Sequence, residues 1–251
     1  ILHISIKNGQ YKVVKSLLER KCDISIKNKD GDTVMHSMFD ERAYREVAIT
    51  PRDGNNQLSP SDKPTDGLTP RTPRDANISP RSRGLTNKTP REEVMELLLT
   101  SGVINVDTQN NAGWTPLALA AKNNDYSLAS ALLYKDASPD IATKEGSPLH
   151  FAIKNCNLKL VEALLKKGSA DPNITDEHGY TPLDRALERF REPEMVKIIS
   201  ALFAESNPKV NVNHPDTELV KKYVYVFSTH ADVFGKKGVR LLDMILESHP
   251  E

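Results

Sequence analysis

The chain has 251 residues, in which 34 basic side chains are balanced by 34 acidic ones. A net charge of zero argues against nucleic acid or an anionic membrane surface as a partner, because both attract a basic face. The two cysteines, Cys22 and Cys156, belong to different helical units, which argues against a disulfide framework and favours a reducing compartment. No apolar run approaches the roughly 20 residues of a membrane-spanning helix, so we expect no membrane insertion.

Residues 1–46 are predicted to form one helix pair and the first helix of a second pair. The first helix closes at Lys7-Asn8-Gly9, and apolar residues recur at helical spacing from Val13 to Leu18. The third helix begins near Thr33 and is expected to run to about Glu46. Because the chain starts inside the first unit, we expect it to be part of a longer protein.

Residues 47–90 interrupt the second unit. Gly31 and Gly113 begin equivalent turns but lie 82 positions apart, which is 49 more than the usual spacing of about 33. The segment is rich in Pro, Ser, Thr, Asn, Asp and Arg and almost lacks large apolar residues. Such a composition buries too little surface to offset the entropy of ordering, so the sequence predicts a disordered insertion. We expect it to leave from the edge opposite the turns.

The insertion contains six Ser-Pro or Thr-Pro dipeptides, and arginine follows the proline in five of them. These dipeptides resemble minimal targets of proline-directed kinases, and a phosphate would add roughly −1.5 to −2 charges beside each arginine. The alternative is a low-complexity expansion without regulation. The six predicted phosphorylation sites are Thr50, Ser59, Thr69, Thr72, Ser79 and Thr89.

Residues 91–212 return to helix pairs, with a helix resuming at Arg91. The clearest motif is Gly113–Ala121, in which a glycine suits a tight turn, a threonine can cap a helix and a proline fits its first turn. The motif recurs at Ser147–Ala152 and Thr181–Ala186, about 33 residues apart each time. The last of these units should have a longer second helix.

That second helix is predicted to run from Pro193 to about Glu205, after which the motif fades. Residues 213–251 still show two helical patterns, Thr217–Ser228 and Val239–Glu247. Terminal units of a stack are atypical because one of their faces meets solvent. We therefore interpret 213–251 as a degenerate helix pair that caps the stack.

A Thr-Pro-Leu-His-like start recurring every 33 or so residues resembles the ankyrin repeat, a turn followed by two helices. The resemblance covers roughly 1–40 and 90–212. It implies an all-α ankyrin-repeat solenoid of stacked helix-turn-helix units with β-turn fingers and an irregular C-terminal helical cap. It also implies that Cys22 replaces a C-capping glycine, at some cost in stability, and that Gly168 stops a helix. Three histidines should make structural hydrogen bonds near the turns, namely His3, His36 and His150.

Ankyrin repeats bind protein partners through the turns and the exposed ends of the first helices, so the resemblance implies a non-catalytic adaptor, scaffold or targeting module. Trp114 and Tyr180 directly follow turn glycines and are predicted binding anchors; the alternative is that each packs on a neighbouring turn. The fourth repeat lacks a residue between Gly146 and Ser147, which predicts a shallow groove between the two aromatics. The other predicted partner-binding residues are Asn111, Lys122, Asn123, Lys144, Glu145, Lys154, Asn155, His178, Glu188 and Arg189.

No motif for catalysis, for a cofactor or for a metal is found, and the seven histidines are scattered. We therefore expect no enzymatic activity, no cofactor, a monomeric chain and another protein or peptide as the partner. We expect a cytoplasmic location, with the nucleus as an alternative. One alternative function is the targeting domain of a larger enzyme or of a secreted bacterial effector in a host cytosol, with its catalytic domain elsewhere. Another is a structural spacer.

Overall fold

The computed structural model describes residues 1–39, 89–101, 104–205, 209–211, 217–230 and 236. In this part of the chain the regular structure is helical, with one isolated bridge between Thr143 and Gly146 and no strand. The helices are α1 Leu2–Lys7, α2 Tyr11–Glu19, α3 Val34–Ser37, α4 Pro90–Thr100, α5 Pro116–Lys122, α6 Tyr126–Tyr134, α7 Pro148–Lys154, α8 Leu158–Lys166, α9 Pro182–Glu188, α10 Pro193–Glu205 and α11 Thr217–Thr229.

The helices form two layers. The short first helices α1, α3, α5, α7 and α9 stack in sequence order, and the second helices α2, α4, α6, α8 and α10 stack behind them. The core lies between the layers and is built from leucines, isoleucines and small alanines with almost no exposed surface. Each repeat therefore buries its apolar face against its neighbours, which is how a solenoid gains stability.

The first helices begin as the repeated motif predicted. The Thr115 hydroxyl accepts a hydrogen bond from the Ala118 backbone N–H at 3.1 Å, and Pro116 occupies the first turn, where no N–H is needed. Ala120 and Ala121 are fully buried, so the neighbouring helix can approach closely. The second helix of the fifth repeat, Pro193–Glu205, matches the predicted bounds.

Two helix ends differ from the prediction. After α2 the left-handed residue is Lys21, with φ of +55°, and the Cys22 N–H donates to the Leu17 carbonyl. Cys22 therefore does not stand at the glycine position, and the conformational cost falls on Lys21 instead. After α8 the left-handed residue is Ser169, with φ of +53°, because the extra residue of that repeat moves the stop one position beyond Gly168.

The ends of the insertion lie at the far end of the first helices, away from the turns. Helix α3 ends at Ser37 and is followed by a turn at Met38 and Phe39, while the predicted end near Glu46 lies outside the described residues. The Arg91 Nη2 donates to the Met38 carbonyl at 3.2 Å and joins the two flanks of the insertion. Residues 40–88 lie outside the described residues, and so does the order or disorder predicted for them.

Helix α11 continues the stack beyond the fifth repeat. The Tyr223 hydroxyl donates to the buried Asp184 carboxylate of α9. The Phe227 ring contacts Phe203 edge-on, with ring centroids 5.2 Å apart. The first helix of the predicted cap thus exists and packs on the fifth repeat, while the second predicted helix, at 239–247, lies outside the described residues.

Candidate protein-interaction surface

The turns are organised by a side chain that sequence reasoning missed. In the second, third and fifth repeats, one oxygen of Asn28, Asn110 or Asp176 accepts two backbone N–H bonds of the same turn, at 2.8–3.1 Å. Each of these residues lies three positions before a glycine with positive φ, Gly31, Gly113 or Gly179. An Asn or Asp at that spacing is the signal for such a turn.

Buried histidines tie one repeat to the turn of the next. The Nδ1 atoms of His36 and His150 accept backbone N–H bonds within their own repeats, both at 3.1 Å. Each Nε2 must then carry the proton, and it donates to the carbonyl of Trp114 at 2.8 Å or of Tyr180 at 3.0 Å. His3 Nε2 lies 3.1 Å from the carbonyl oxygen of the equivalent residue of the second repeat. The predicted structural role of these histidines is confirmed.

Burial lowers the pKa of both His36 and His150 below the ordinary histidine value, although the hydrogen bond to the neighbouring carbonyl partly opposes this shift. Both rings are therefore neutral at physiological pH. A neutral ring is what the bonding pattern requires, because a protonated Nδ1 could not accept the backbone N–H.

The junction between the third and fourth repeats lacks this bond. Ala118 stands where the first, second and fourth repeats carry histidine, and the fourth turn has lost the residue whose carbonyl would accept. The shortened turn closes on itself instead: the Thr143 N–H donates to the Gly146 carbonyl at 2.9 Å, and the reverse bond measures 3.2 Å. Gly146 adopts a φ of +130°, which a residue with a side chain rarely adopts.

Trp114 packs across the same junction. Its ring centroid lies 5.2 Å from that of Phe151, a buried residue of the fourth repeat. The Lys122 Nζ lies 4.1 Å from the centre of the indole ring and 3.1 Å from a carboxylate oxygen of Glu145. The half-buried ring therefore links two repeats, which is the alternative interpretation of this residue.

The turn at Lys144-Glu145 separates two depressions, where the sequence predicted one groove between the aromatics. The first, of about 500 Å³, lies between α7, α9 and the turns of the fourth and fifth repeats. It is lined by five of the predicted partner-binding residues, namely Glu145, Lys154, His178, Glu188 and Arg189. The second, of about 600 Å³, lies between the turns of the third and fourth repeats and is lined by Asn111, Trp114, Lys144 and Glu145.

Charge is mixed in the first depression, which we call the α7–α9 depression. Within the described residues the Lys154 ammonium forms no ion pair, although it is exposed among the carboxylates of Glu145, Glu177 and Glu188. Arg185, in contrast, is held 2.6 Å from Asp176. Burial alone would raise the pKa of Asp176, but hydrogen bonds from Arg185 and from the turn N–H groups bring it below its usual value.

Four predicted residues already serve the fold. The Asn155 side chain donates to the Ala121 carbonyl at 2.9 Å, and Arg189 donates to the Lys154 carbonyl at 2.7 Å, so each caps the first helix of the preceding repeat. The Asn111 side chain bonds the Lys29 carbonyl at 3.1 Å and joins two turns. The Tyr180 ring lies beneath the Arg185 guanidinium, 4.5 Å from its carbon, and does not line the α7–α9 depression. Asn123 is exposed at the end of α5.

Of the six predicted phosphorylation sites, the structure describes one, Thr89. Its hydroxyl accepts the Glu92 N–H at 3.3 Å, and the Glu92 carboxylate accepts the Thr89 N–H at 2.8 Å. Thr89 and Pro90 thus begin α4 and do not belong to the insertion. The other five sites, Thr50, Ser59, Thr69, Thr72 and Ser79, lie outside the described residues.

The residues that the structure describes contain no group of three or more His, Cys, Asp or Glu side chains that could hold a metal ion. None of the described helices has the length and hydropathy of a membrane span. The half-buried Cys156 adopts a φ of +53° and donates to Glu192 at 3.2 Å, and burial raises the pKa of its thiol.

Comparison with known families agrees with this geometry. A family model for ankyrin repeats in three copies matches residues 119–214, and the single-repeat model matches residues 1–29. The chain is an ankyrin-repeat protein. The predicted all-α repeat fold is therefore confirmed, and repeats of this family are in general protein–protein interaction modules.

Relatives occur in viruses, bacteria and eukaryotes. The ankyrin repeat protein FPV031 of Fowlpox virus (strain NVSL) is 37% identical over 101 residues, which cover 38% of this chain and 29% of the viral protein. An ankyrin repeat protein of Rickettsia felis is 31% identical over 116 residues, or 46% of this chain and 39% of the relative. The palmitoyltransferase AKR1 of Kluyveromyces lactis is 38% identical over 72 residues, or 29% of this chain and 9% of the enzyme. The chain thus matches less than half the length of each relative.

Proposed function

We propose that this ankyrin-repeat protein is a non-catalytic adaptor, scaffold or targeting module, which binds a segment of another protein in the α7–α9 depression. The observation that carries the proposal is the convergence of five predicted residues from two turns and two first helices on one depression of about 500 Å³. No single element supplies this surface, so it exists only because the repeats stack.

The depression favours a partner segment that carries both charges. An acidic side chain of the partner would reach Lys154, and a basic one would reach Glu177 or Glu188. Charge pairs at such a rim set register and association rate more than affinity. The surrounding helices are packed and capped, so the surface is preformed and binding orders few groups.

Trp114 and Tyr180 have a smaller part in this proposal than the sequence suggested. Each ring is covered on one side by a cation, Lys122 or Arg185, at 4.1 and 4.5 Å from the ring centre. Both rings pack within the concave surface, so that at most one edge of each ring is accessible to the partner. The cost of removing either ring should therefore appear in folding before it appears in binding.

We further propose that phosphorylation of the insertion regulates this binding. Several phosphates would reverse the charge of a segment that carries more basic than acidic residues. Its two ends are joined by Arg91 and Met38, at the edge opposite the turns, so the insertion need not disrupt the stack. Mass spectrometry of protein purified from its own cells tests this, and the absence of phosphate from all six sites would contradict it.

The second candidate function is the targeting domain of a larger enzyme or effector. The observation that favours it is the match to a palmitoyltransferase, of which the matched repeats form only 9%. Under this alternative the α7–α9 depression has the same role, but the captured partner would be a substrate or an anchor for a catalytic domain elsewhere in the protein.

Affinity capture with the 251-residue chain tests the main proposal. We expect Lys154→Glu with His178→Ala to lose a protein that the unmodified chain retains from its own cells, because both side chains are exposed in the α7–α9 depression. Lys159→Glu, an exposed change on the outer face of α8, serves as the matched control and should retain it. Equal retention by both variants would contradict the proposed surface.

A further inference from the structure

A second surface lies on the opposite side of the stack, between the outer helices α4 and α6. It is a groove of about 470 Å³ that none of the turns reaches. Met95 and Leu99 of α4 form one wall, and Ser130, Ala131 and Tyr134 of α6 form the other. The phenol ring of Tyr134 stands at the rim with 79% of its surface exposed.

The groove exists because α6 presents small side chains to α4. Along α6 the lining positions are Ser127, Ser130, Ala131 and Tyr134, at spacings of three and four residues that place them on one face. Serine and alanine are too short to fill the space opposite Met95, so the two parallel helices leave a channel along their length. An apolar channel between two helices is the geometry that receives a third, amphipathic helix.

Charge at the ends of the groove gives that helix a direction. Glu92 lies in the first turn of α4, where its carboxylate also accepts the Ser127 hydroxyl of α6 at 3.1 Å, and Glu96 lies one turn further along. Lys135 and Lys167 lie at the end where α6 and α8 stop. Among the described residues, neither lysine forms an ion pair. Helices are generally stabilised by acidic residues in the first turn and basic residues in the last. Such a helix fits the groove antiparallel to α4 and α6.

We propose that the α4–α6 groove binds an amphipathic helix of another protein, about three turns long and antiparallel to α4 and α6. Its acidic first turn lies at Lys135 and Lys167, its basic last turn lies at Glu92 and Glu96, and an apolar stripe fills the channel between. This site is independent of the α7–α9 depression, so the stack can hold two partners on opposite faces.

Two synthetic peptides of 16 residues test the proposal by fluorescence anisotropy with the 251-residue chain. Both carry leucines at helical spacing and the same charges, but one has glutamates first and lysines last, and the other has the reverse order. A lactam bridge on the outward face holds both at equal helicity, checked by circular dichroism. We expect the first peptide to bind about tenfold more tightly, because two charged ends contribute together.

Variants assign the binding to the groove. Lys135→Glu with Lys167→Glu should remove the preference for the first peptide, and Lys12→Glu with Lys159→Glu, an equal change elsewhere on the outer helices, should keep it. Ala131→Arg blocks the channel and should weaken both peptides more than tenfold. Tyr134→Glu, at an exposed position that cannot unfold the core, should weaken them several-fold.

Four outcomes would overturn the proposal. The first is no binding of either peptide, and the second is equal binding of both. The third is a dimer in sedimentation velocity that Ala131→Arg dissociates, since the groove would then belong to a second copy of this chain. Binding that appears only after deletion of residues 47–88 would assign the groove to the chain's own insertion and would also overturn it.

Discussion

Two neighbouring junctions of the same stack are held together in different ways. Between the fourth and fifth repeats, the buried His150 donates to the Tyr180 carbonyl at 3.0 Å. Between the third and fourth repeats, that histidine is absent, and the half-buried Trp114 packs on Phe151 while Lys122 lies over its ring. The first junction follows the repeat motif. The second departs from it twice, because the third repeat lacks the histidine and the fourth repeat lacks a turn residue.

The difference shows that the loss of a buried hydrogen bond was matched by the loss of its acceptor. A histidine facing a shortened turn would have an unsatisfied buried N–H, which costs about 1–3 kcal/mol. Alanine at position 118 avoids that cost, and the packing of the half-buried Trp114 on Phe151 replaces the bond. Between the third and fourth repeats, side chains of the concave surface therefore stabilise the fold. Between the fourth and fifth repeats, such side chains remain exposed, as Lys154 does.

The largest loss of stability should follow a change at the junction between the fourth and fifth repeats, which keeps the repeat motif. We expect His150→Ala to lower the free energy of unfolding by about 3 kcal/mol, because it leaves the buried Ser147 N–H without a partner, removes one of the two donors to the Tyr180 carbonyl and opens a cavity. Urea denaturation of the 251-residue chain measures this. Lys159→Ala is the exposed control and should change stability by less than about 0.5 kcal/mol.

The same variant gives a pH test. The pKa of His150 is lower in the folded protein than the ordinary value of 6.5 that it regains on unfolding. His150 therefore makes its full contribution to the free energy of unfolding above pH 6.5. The folded protein loses that contribution as the pH falls below 6.5, through the lowered pKa. The stability difference between the unmodified chain and His150→Ala should shrink on acidification. A difference that grows below pH 6.5 would contradict a neutral buried ring.

At the junction between the third and fourth repeats we expect a smaller loss of stability. Trp114→Ala should cost about 2 kcal/mol, because it removes one aromatic contact and one cation–π contact together with part of the buried surface. The measurement is again urea denaturation, with Tyr134→Ala as a control aromatic that is 79% exposed. A loss for Trp114→Ala no greater than that of the control would mean that the ring is available to a partner.

Helix starts, helix pairs and the longer α10 could all be predicted from the sequence, because local capping and apolar spacing determine them. The left-handed position at Ser169 could not, since the extra residue of the fourth repeat changes which residue follows the helix. Lys21 lies one position before the residue that the sequence indicated, Cys22. The packing of Trp114 depends on Phe151, 37 positions away, and on a turn that is one residue short. The contact between Trp114 and Phe151 could not be predicted from the sequence, because it forms only when the repeats stack.

A still smaller loss of stability is expected at the start of α4, directly after the insertion. Thr89→Ala removes the cap of α4 and should cost about 1 kcal/mol. In its own cells Thr89 should also carry less phosphate than the five sites within 40–88, because its hydroxyl is engaged in a helix cap. Quantitative phosphopeptide mass spectrometry compares the six sites, and Thr89 as the most occupied one would contradict its place in the fold.

The smallest effect should come from the exposed ion pair beside Trp114. Glu145→Gln should cost at most about 0.5 kcal/mol, because the Glu145 and Lys122 side chains are both nearly half exposed to solvent. A double-mutant cycle between Glu145→Gln and Trp114→Ala measures whether the pair holds Lys122 over the ring. We expect a coupling of a few tenths of a kcal/mol, and a coupling above about 1 kcal/mol would mean that the cluster acts as one unit.

We propose that the α7–α9 depression binds the partner, while Trp114 belongs to the neighbouring junction. Isothermal titration of the captured partner with Lys154→Glu and with Trp114→Leu, both in the 251-residue chain, tests this most directly. We predict that Lys154→Glu lowers the affinity at least tenfold, because the reversed charge repels the partner's acidic side chain, and that Trp114→Leu changes it less than threefold. The opposite order, with Trp114→Leu abolishing binding and Lys154→Glu leaving it unchanged, would mean that the partner binds at Trp114 and not in the α7–α9 depression.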